Sequence, residues 1–313
     1  MFELVFLGTS SSAPSVNRGL SGHIILHRQY RFLLDCGEGT QRQILRSGLG
    51  FKRLNTVLLT HGHLDHILGL GGLVSTLSRW ENLDSLDIYG GRSALDRVSN
   101  LLFKVVFPGK NAPVEINLNP LQPGQIILED DKFALSSFAV SHRGPDCYGF
   151  MFEEKAHRPF LADKAEELGL PNGPERAQLV RGQAITLPDD RVIEPDDVLG
   201  PAVPGTRYVH IGDVGRIGNL VEICRNADAL VMESTYAEED EDMARQFGHM
   251  TAAKAAQLAK DAGVKTLILT HLSRRYRERD IRNEARSVFP STYVARDLDH
   301  FQITRDGATR LKK

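Results

Sequence analysis

Directly after the apolar run Asn55-Thr56-Val57-Leu58-Leu59 the chain reads Thr60-His61-Gly62-His63-Leu64-Asp65-His66, and a helical pattern follows. Four side chains with lone pairs to donate crowd into six residues, too close to share one face of a helix or a strand. They converge only where a strand turns into a helix, with Gly62 letting the backbone bend. Imidazole and carboxylate together suit Zn²⁺, and less selectively Mn²⁺ or Fe²⁺. The plain alternative is an exposed histidine-rich loop, because that many buried ring nitrogens without an ion would be poorly satisfied.

Four residues cannot fill two tetrahedral sites, so a binuclear site needs ligands farther along. His142 follows the apolar–polar alternation Phe133–Val140, Asp213 follows Arg207-Tyr208-Val209-His210-Ile211-Gly212, and His271 follows Thr266-Leu267-Ile268-Leu269-Thr270. Each stands at the carboxyl end of an expected buried strand, where open α/β folds place their sites. A lone histidine there would more often cap or pack; three candidates together with the first motif reverse that reading. Asp213 is the candidate bridging carboxylate. Two neighbouring ions would activate water and stabilise both oxygens of an in-line displacement. His249, in Gly248-His249-Met250-Thr251, is not needed as a ligand and is a natural general acid for the leaving oxygen. Its plain reading is a surface histidine at a helix start.

Around these residues short apolar strands alternate with helical patterns. Strands are expected near Leu4–Leu7, Ile24–His27, Phe32–Asp35, Thr56–Leu59, Phe133–Val140, Tyr208–Ile211, Leu230–Glu233 and Leu267–Leu269. Helices are expected near Thr40–Ser47, Asp65–Arg79, Ala94–Phe103, Ile217–Asn226 and Thr251–Ala262, the last with Thr251 as N-cap. The alternation in Phe133–Val140 implies a mixed sheet. From Glu153 to about Pro201 the rhythm breaks into a stretch rich in Pro, Gly and charge, with a short helix at Ala162–Leu168 and the turn Pro171-Asn172-Gly173-Pro174. It reads as an insertion in a single domain spanning residues 1–313, or as a long surface excursion. No apolar run approaches about 18 residues, so no membrane span is expected, and the amino terminus reads as a strand rather than a signal peptide. Cys36, Cys147 and Cys224 lie far apart, which argues against a disulfide framework and fits a reducing cytoplasm. The net charge of −2 assigns any nucleic-acid binding to local basic patches.

HGHLDH with His142, Asp213 and His271 resembles the metallo-β-lactamase superfamily. Phe6-Leu7-Gly8-Thr9-Ser10, Asp35-Cys36-Gly37-Glu38-Gly39-Thr40-Gln41-Arg42-Gln43, Glu233-Ser234-Thr235, Gly248-His249-Met250-Thr251-Ala252 and Leu269-Thr270-His271-Leu272-Ser273-Arg274-Arg275-Tyr276 narrow the resemblance to the ribonuclease Z family in its short form. The resemblance runs essentially from end to end. It implies an αβ/βα sandwich of two mixed sheets with flanking helices and a projecting arm. One zinc would be held by His61, His63 and His142, the other by Asp65, His66 and His271, with Asp213 bridging. Asp65 would also orient or deprotonate the water, and His249 would be the general acid. The family is a homodimer whose arm grips tRNA bound to the opposite subunit; Glu153–Pro201 occupies the arm's place, and Gly173-Pro174 matches its tip.

The implied activity is endonucleolytic removal of the 3′ trailer from precursor tRNA, leaving a 3′-hydroxyl on the tRNA and a 5′-phosphate on the trailer. The alternatives are a small-substrate phosphodiesterase or related hydrolase on the same site, and a zinc-stabilised RNA-binding protein without catalysis. Substrate contacts are expected from Gly173, Pro174, Arg176 and Arg181 at the tip, and from Arg18 in a family loop near the site. Arg274 and Arg275 begin a basic stretch that offers further contacts. Three departures stand out. Val214 replaces the family's usual threonine, the Arg18 loop lacks the usual lysine and final asparagine, and the arm is more acidic than basic.

Overall fold

The structure is a computed structural model describing residues 1–80, 83–109 and 112–312. The chain divides into two compact units. The larger comprises residues 1–128, 134–153 and 206–313, and the smaller comprises 129–133 and 154–205.

Two mixed sheets build the larger unit. One has eight strands in the order Gly307–Arg310, His300–Thr304, Phe2–Gly8, Gly22–His27, Tyr30–Cys36, Thr56–Leu58, Ser85–Gly90 and Glu115–Pro120. Its pairing is antiparallel through Tyr30–Cys36 and parallel beyond it. The other has seven strands in the order Thr292–Val294, Thr266–Thr270, Ala229–Glu233, Arg207–His210, Cys147–Glu154, Phe133–Val140 and Ile126–Glu129. Its first four strands run parallel, and Arg207–His210 meets Cys147–Glu154 antiparallel.

Both faces of the central strands are buried, so they read as nearly unbroken apolar runs. The inner faces meet through aromatic rings: Phe2 and Phe32 from one sheet lie 6.2 and 5.7 Å from Phe152 of the other, and Phe2 lies 6.3 Å from Tyr208. On one outer face, Val5, Leu7, Leu33 and Ile88 pack with Ile44 of helix Thr40–Ser47, with Leu73 and Leu77 of Leu70–Trp80, and with Val98 of Arg92–Asn100. On the other, Val209, Leu230 and Leu267 pack with Ala256 and Leu258 of Ala252–Asp261 and with Ile281 of Glu278–Val288. The result is a helix–sheet–sheet–helix sandwich. Among the described residues no helix is long and apolar enough to cross a membrane.

Several expected elements take a different form. The helix expected over Asp65–Arg79 is two helices, Leu64–Ile67 and Leu70–Trp80, separated at Gly69. Arg92–Asn100 runs on as a π-helix, Leu101–Val106, and only Leu220–Ile223 of the Ile217–Asn226 segment is helical. The helix Glu278–Val288 and the three strands after it had no sequence expectation. That helix fully buries only Ile281 and Ala285, a stripe too thin for a periodicity argument.

The smaller unit has its own core of Ala165, Leu170, Leu179, Ile185, Leu187, Ile193 and Val198. It contains helices Ala162–Glu167, Pro174–Val180 and Pro195–Val198 and a two-stranded hairpin, Ile185–Thr186 with Val192–Ile193. Pro174 suits the first helical turn, where its missing N–H costs nothing.

Candidate metal centre

Every expected ligand leaves the end of a strand or the turn after it. His61 and His63 follow Thr56–Leu58, while Asp65 and His66 lie on the one-turn helix Leu64–Ile67. His142, Asp213 and His271 follow Phe133–Val140, Arg207–His210 and Thr266–Thr270. Backbone contact leaves no room for larger side chains in this turn. A Cβ at Gly62 would sit 2.9 Å from the Ala94 Cα, and one at Gly37 would sit 2.4 Å from the Asp65 carbonyl oxygen.

The donors form two groups joined at Asp213. Ligand atoms of His61, His63, His142 and Asp213 lie within 4.8 Å of one another, as do those of Asp65, His66 and His271. Asp213 Oδ2 is 3.6 Å from His61 Nε2 and 3.8 Å from His142 Nε2, while Oδ1 is 3.5 Å from His66 Nε2 and 3.3 Å from His271 Nε2. Asp65 Oδ2 is 3.4 Å from His271 Nε2 and 3.7 Å from His66 Nε2. Tetrahedral ligands about 2.0–2.1 Å from an ion stand about 3.3–3.4 Å apart, so the spacing suits a metal better than direct hydrogen bonds. Among the described residues, His61 Nε2, His142 Nε2 and Asp213 Oδ1 are buried with no hydrogen-bond partner, a costly arrangement without an ion. The donor set fits a metal site.

The outward nitrogen of each deeply placed ring is tied down, which fixes both tautomer and orientation. Thr60 donates its hydroxyl to Asp35 Oδ2 and accepts from His61 Nδ1 at 3.1 Å. His66 Nδ1 donates to Asp35 Oδ2 at 2.8 Å, and His142 Nδ1 to the Gly248 carbonyl at 2.6 Å. His271 Nδ1 donates to Thr235 Oγ1 at 2.9 Å, and that hydroxyl donates to Glu233. Asp35 and His271 both adopt left-handed backbone, with φ of 56° and 57°, strain of the kind that gathers at functional sites.

Burial lowers the pKa of His61, His63 and His142 and keeps them neutral, the form that ligates. Burial also opposes charge on Asp65 and Asp213, yet His66 and His271 outweigh it and hold both carboxylates well below their ordinary range. His66 is pushed the other way: against burial, Asp213, Asp35 and Asp65 raise it. His249 donates Nδ1 to Glu233 Oε1 at 2.9 Å, and although burial disfavours its charge, Glu233 lifts its pKa to about 9. It therefore carries a proton at neutral pH.

Asp35, Thr60, Glu233 and Thr235 had no assigned role in the sequence reading, although all four stood in quoted stretches. An acid closing an apolar strand was the available signal. Asp35 and Glu233 are 1% and 0% exposed, and a carboxylate so buried requires partners. Glu233 also answers the Val214 departure: the Val214 side chain is buried in apolar surroundings, and its backbone N–H donates to Glu233 Oε1 at 2.7 Å.

The expected substrate contacts divide. Arg18 is bound by its own protein, donating to Thr9 Oγ1, the Ala295 carbonyl and Glu278 Oε2 at 2.6, 2.7 and 2.9 Å. Arg176 donates to the carbonyls of Pro171 and Leu170 and stacks on Phe160, so its guanidinium is committed within the smaller unit. Arg181, Arg274 and Arg275 are exposed, Pro174 is exposed, and Gly173 is partly so.

Residues 2–164 match the family model described as anti-Pycsar protein Apyc1, and residues 176–272 match the β-lactamase superfamily domain. The first span holds the HGHLDH ligands and His142; the second holds Asp213, His249 and His271. Ribonuclease Z of Bradyrhizobium diazoefficiens is 44% identical over 303 residues, covering 97% of this chain and 100% of its own. Ribonuclease Z of Archaeoglobus fulgidus is 38% identical over 309 residues, covering 98% and 99%. Among solved structures, the short form of human tRNase Z has a TM-score of 0.68 at 24% identity over 96% of this chain and 99% of its own. The metallo-β-lactamase fold protein YhfI of Bacillus subtilis has a TM-score of 0.69 at 20% identity over 96% and 100%. These two likenesses concern the fold, which is that of the metallo-β-lactamases. With relatives of such identity along nearly its whole length, the chain belongs to the ribonuclease Z family.

Proposed function

We propose that the chain is a zinc-dependent endoribonuclease that removes the 3′ trailer from precursor tRNA, leaving a 3′-hydroxyl on the tRNA and a 5′-phosphate on the trailer. The observation that carries the chemistry is Asp213, which turns one carboxylate oxygen to His61 and His142 and the other to His66 and His271. His61, His63 and His142 would hold one zinc, Asp65, His66 and His271 the second, and Asp213 both. When bound, the pair supplies Lewis acidity and makes water nucleophilic at neutral pH. Asp65 would orient the attacking water or take up its proton, in addition to ligating. His249 gives its proton to the departing 3′ oxygen, with Glu233 steadying the imidazolium.

Affinity for a molecule as large as tRNA comes from contacts remote from the scissile bond. The inserted unit, read as the family's arm, supplies them through the Gly173-Pro174 turn and Arg181. The active assembly is a homodimer, each arm serving the opposite subunit. The chain works in the cytoplasm, a reading supported by three buried free cysteines. Incubation of the zinc-loaded protein with 3′-extended pre-tRNA, followed by mapping of both new ends, tests the reading. A cut after the acceptor end with the stated termini is expected. Hydrolysis of small phosphodiesters with no RNA cleavage overturns it in favour of the small-substrate hydrolase. One zinc per chain in an active preparation overturns the binuclear site.

A further inference from the structure

A cleft of about 820 Å³ opens beside the metal centre, and His142 and His249 form part of its wall. Its lining carries Arg143, Arg216, Arg245 and Lys254 against a single carboxylate, Glu241. Arg245 and Lys254 are both bound to Glu241. Arg143 and Arg216 are exposed and have no carboxylate partner among the described residues. Arg143 leans over the ring of Phe247, which is 37% exposed, with its Cζ 5.8 Å from the ring centroid. Two exposed planar guanidiniums on the wall of the cleft match the phosphates of a single strand.

We propose that this cleft seats the RNA immediately 5′ to the scissile phosphate, with Arg143 and Arg216 holding its phosphodiesters. The assignment rests on the RNA-cleaving reading above. A cut that leaves a 3′-hydroxyl expels the 3′ oxygen of the upstream nucleotide. An in-line displacement sends that oxygen away from the entering water, and the proton donor must reach it. His249 borders both the metal ligands and the cleft, so the nucleotide bearing the leaving oxygen lies on the cleft's side. The trailer departs the other way.

Two RNA probes test this on the zinc-loaded protein by fluorescence anisotropy: a short oligoribonucleotide with the acceptor-end sequence and a 3′-hydroxyl, and a 5′-phosphorylated trailer oligoribonucleotide. Arg143→Ala and Arg216→Ala should each weaken the acceptor-end probe about tenfold or more, the scale of one lost charge-assisted hydrogen bond, and should spare the trailer probe. Arg143→Lys and Arg216→Lys, which keep charge but lose the planar fork, should fall in between. Neutral methylphosphonates upstream of the cut should weaken binding to the parent protein and leave the double alanine variant indifferent. Loss of trailer binding instead, or no loss in either probe, overturns the assignment. Expected probe behaviour in a parent protein that cuts no pre-tRNA leaves the cleft assignment standing and removes the tRNA-processing reading.

Discussion

The sandwich and the inserted unit both tie arginines to backbone carbonyls, but they depend on those ties to different degrees. In the sandwich, layered apolar cores on both faces of each sheet do the holding, and Arg143, Arg216, Arg274 and Arg275 remain exposed. The inserted unit has a core of seven buried residues and adds arginine-to-carbonyl staples: Arg158 to Gly200 and Leu199, Arg176 to Pro171 and Leu170, and Arg191 to Leu168. A core that small supplies little stability on its own, so the charged forks complete it. Positive charge in the insertion is therefore largely structural, and its surface is left acidic. The rigid half holds the chemistry, and the lightly held half should open first.

The sharpest way to test this contrast is Asp65→Ala, which should abolish hydrolysis of every substrate while the inserted unit stays folded. Turnover of pre-tRNA and of a small phosphodiester measures it; retained activity toward either breaks the role given to the centre. His249→Ala should leave metal content intact and slow RNA cleavage by about 10²–10⁴, the scale of a lost general acid. A nitrophenolate leaving group needs no proton, so the loss should shrink there, and equal losses would make His249 structural.

On the other side of the comparison, replacing Pro171–Gly182 with a Gly-Ser linker removes the helix that buries Leu179. Pre-tRNA cleavage should fall by about 10²–10³ through weaker binding, while a small phosphodiester is still hydrolysed within a few-fold. An unchanged pre-tRNA rate would show the insertion to be dispensable. Asp35→Ala should weaken metal affinity by about 10–100-fold, because His66 loses the acceptor that orients it; competition with a chelator reads this directly. The smallest effects separate the two tip arginines. Arg176→Ala should speed amide exchange throughout 154–205, whereas Arg181→Ala should leave exchange alone and lower the salt slope of RNA binding by about 1. Reversed outcomes would exchange their roles.

The sequence by itself determined the donors and their places along the chain. A donor cluster on a strand-to-helix turn, and further donors closing apolar strands, are short-range patterns that backbone geometry reads locally. The end-to-end family motifs carried the fold class. Only the tertiary structure decided which atoms meet. That the ring nitrogens of His61, His66, His142 and His271 turn to Asp213 depends on strand order across two sheets, and His66 and His271 stand 205 positions apart. The pairing of Glu233 with His249 depends on it too, as does the withdrawal of Arg18 into a bond with Glu278, 260 positions away. An arginine's sequence neighbours do not reveal whether a distant carboxylate or carbonyl will claim it. Long-range contact made that choice for Arg18, a local turn took Arg176, and Arg143 and Arg216 are left without a carboxylate partner among the described residues.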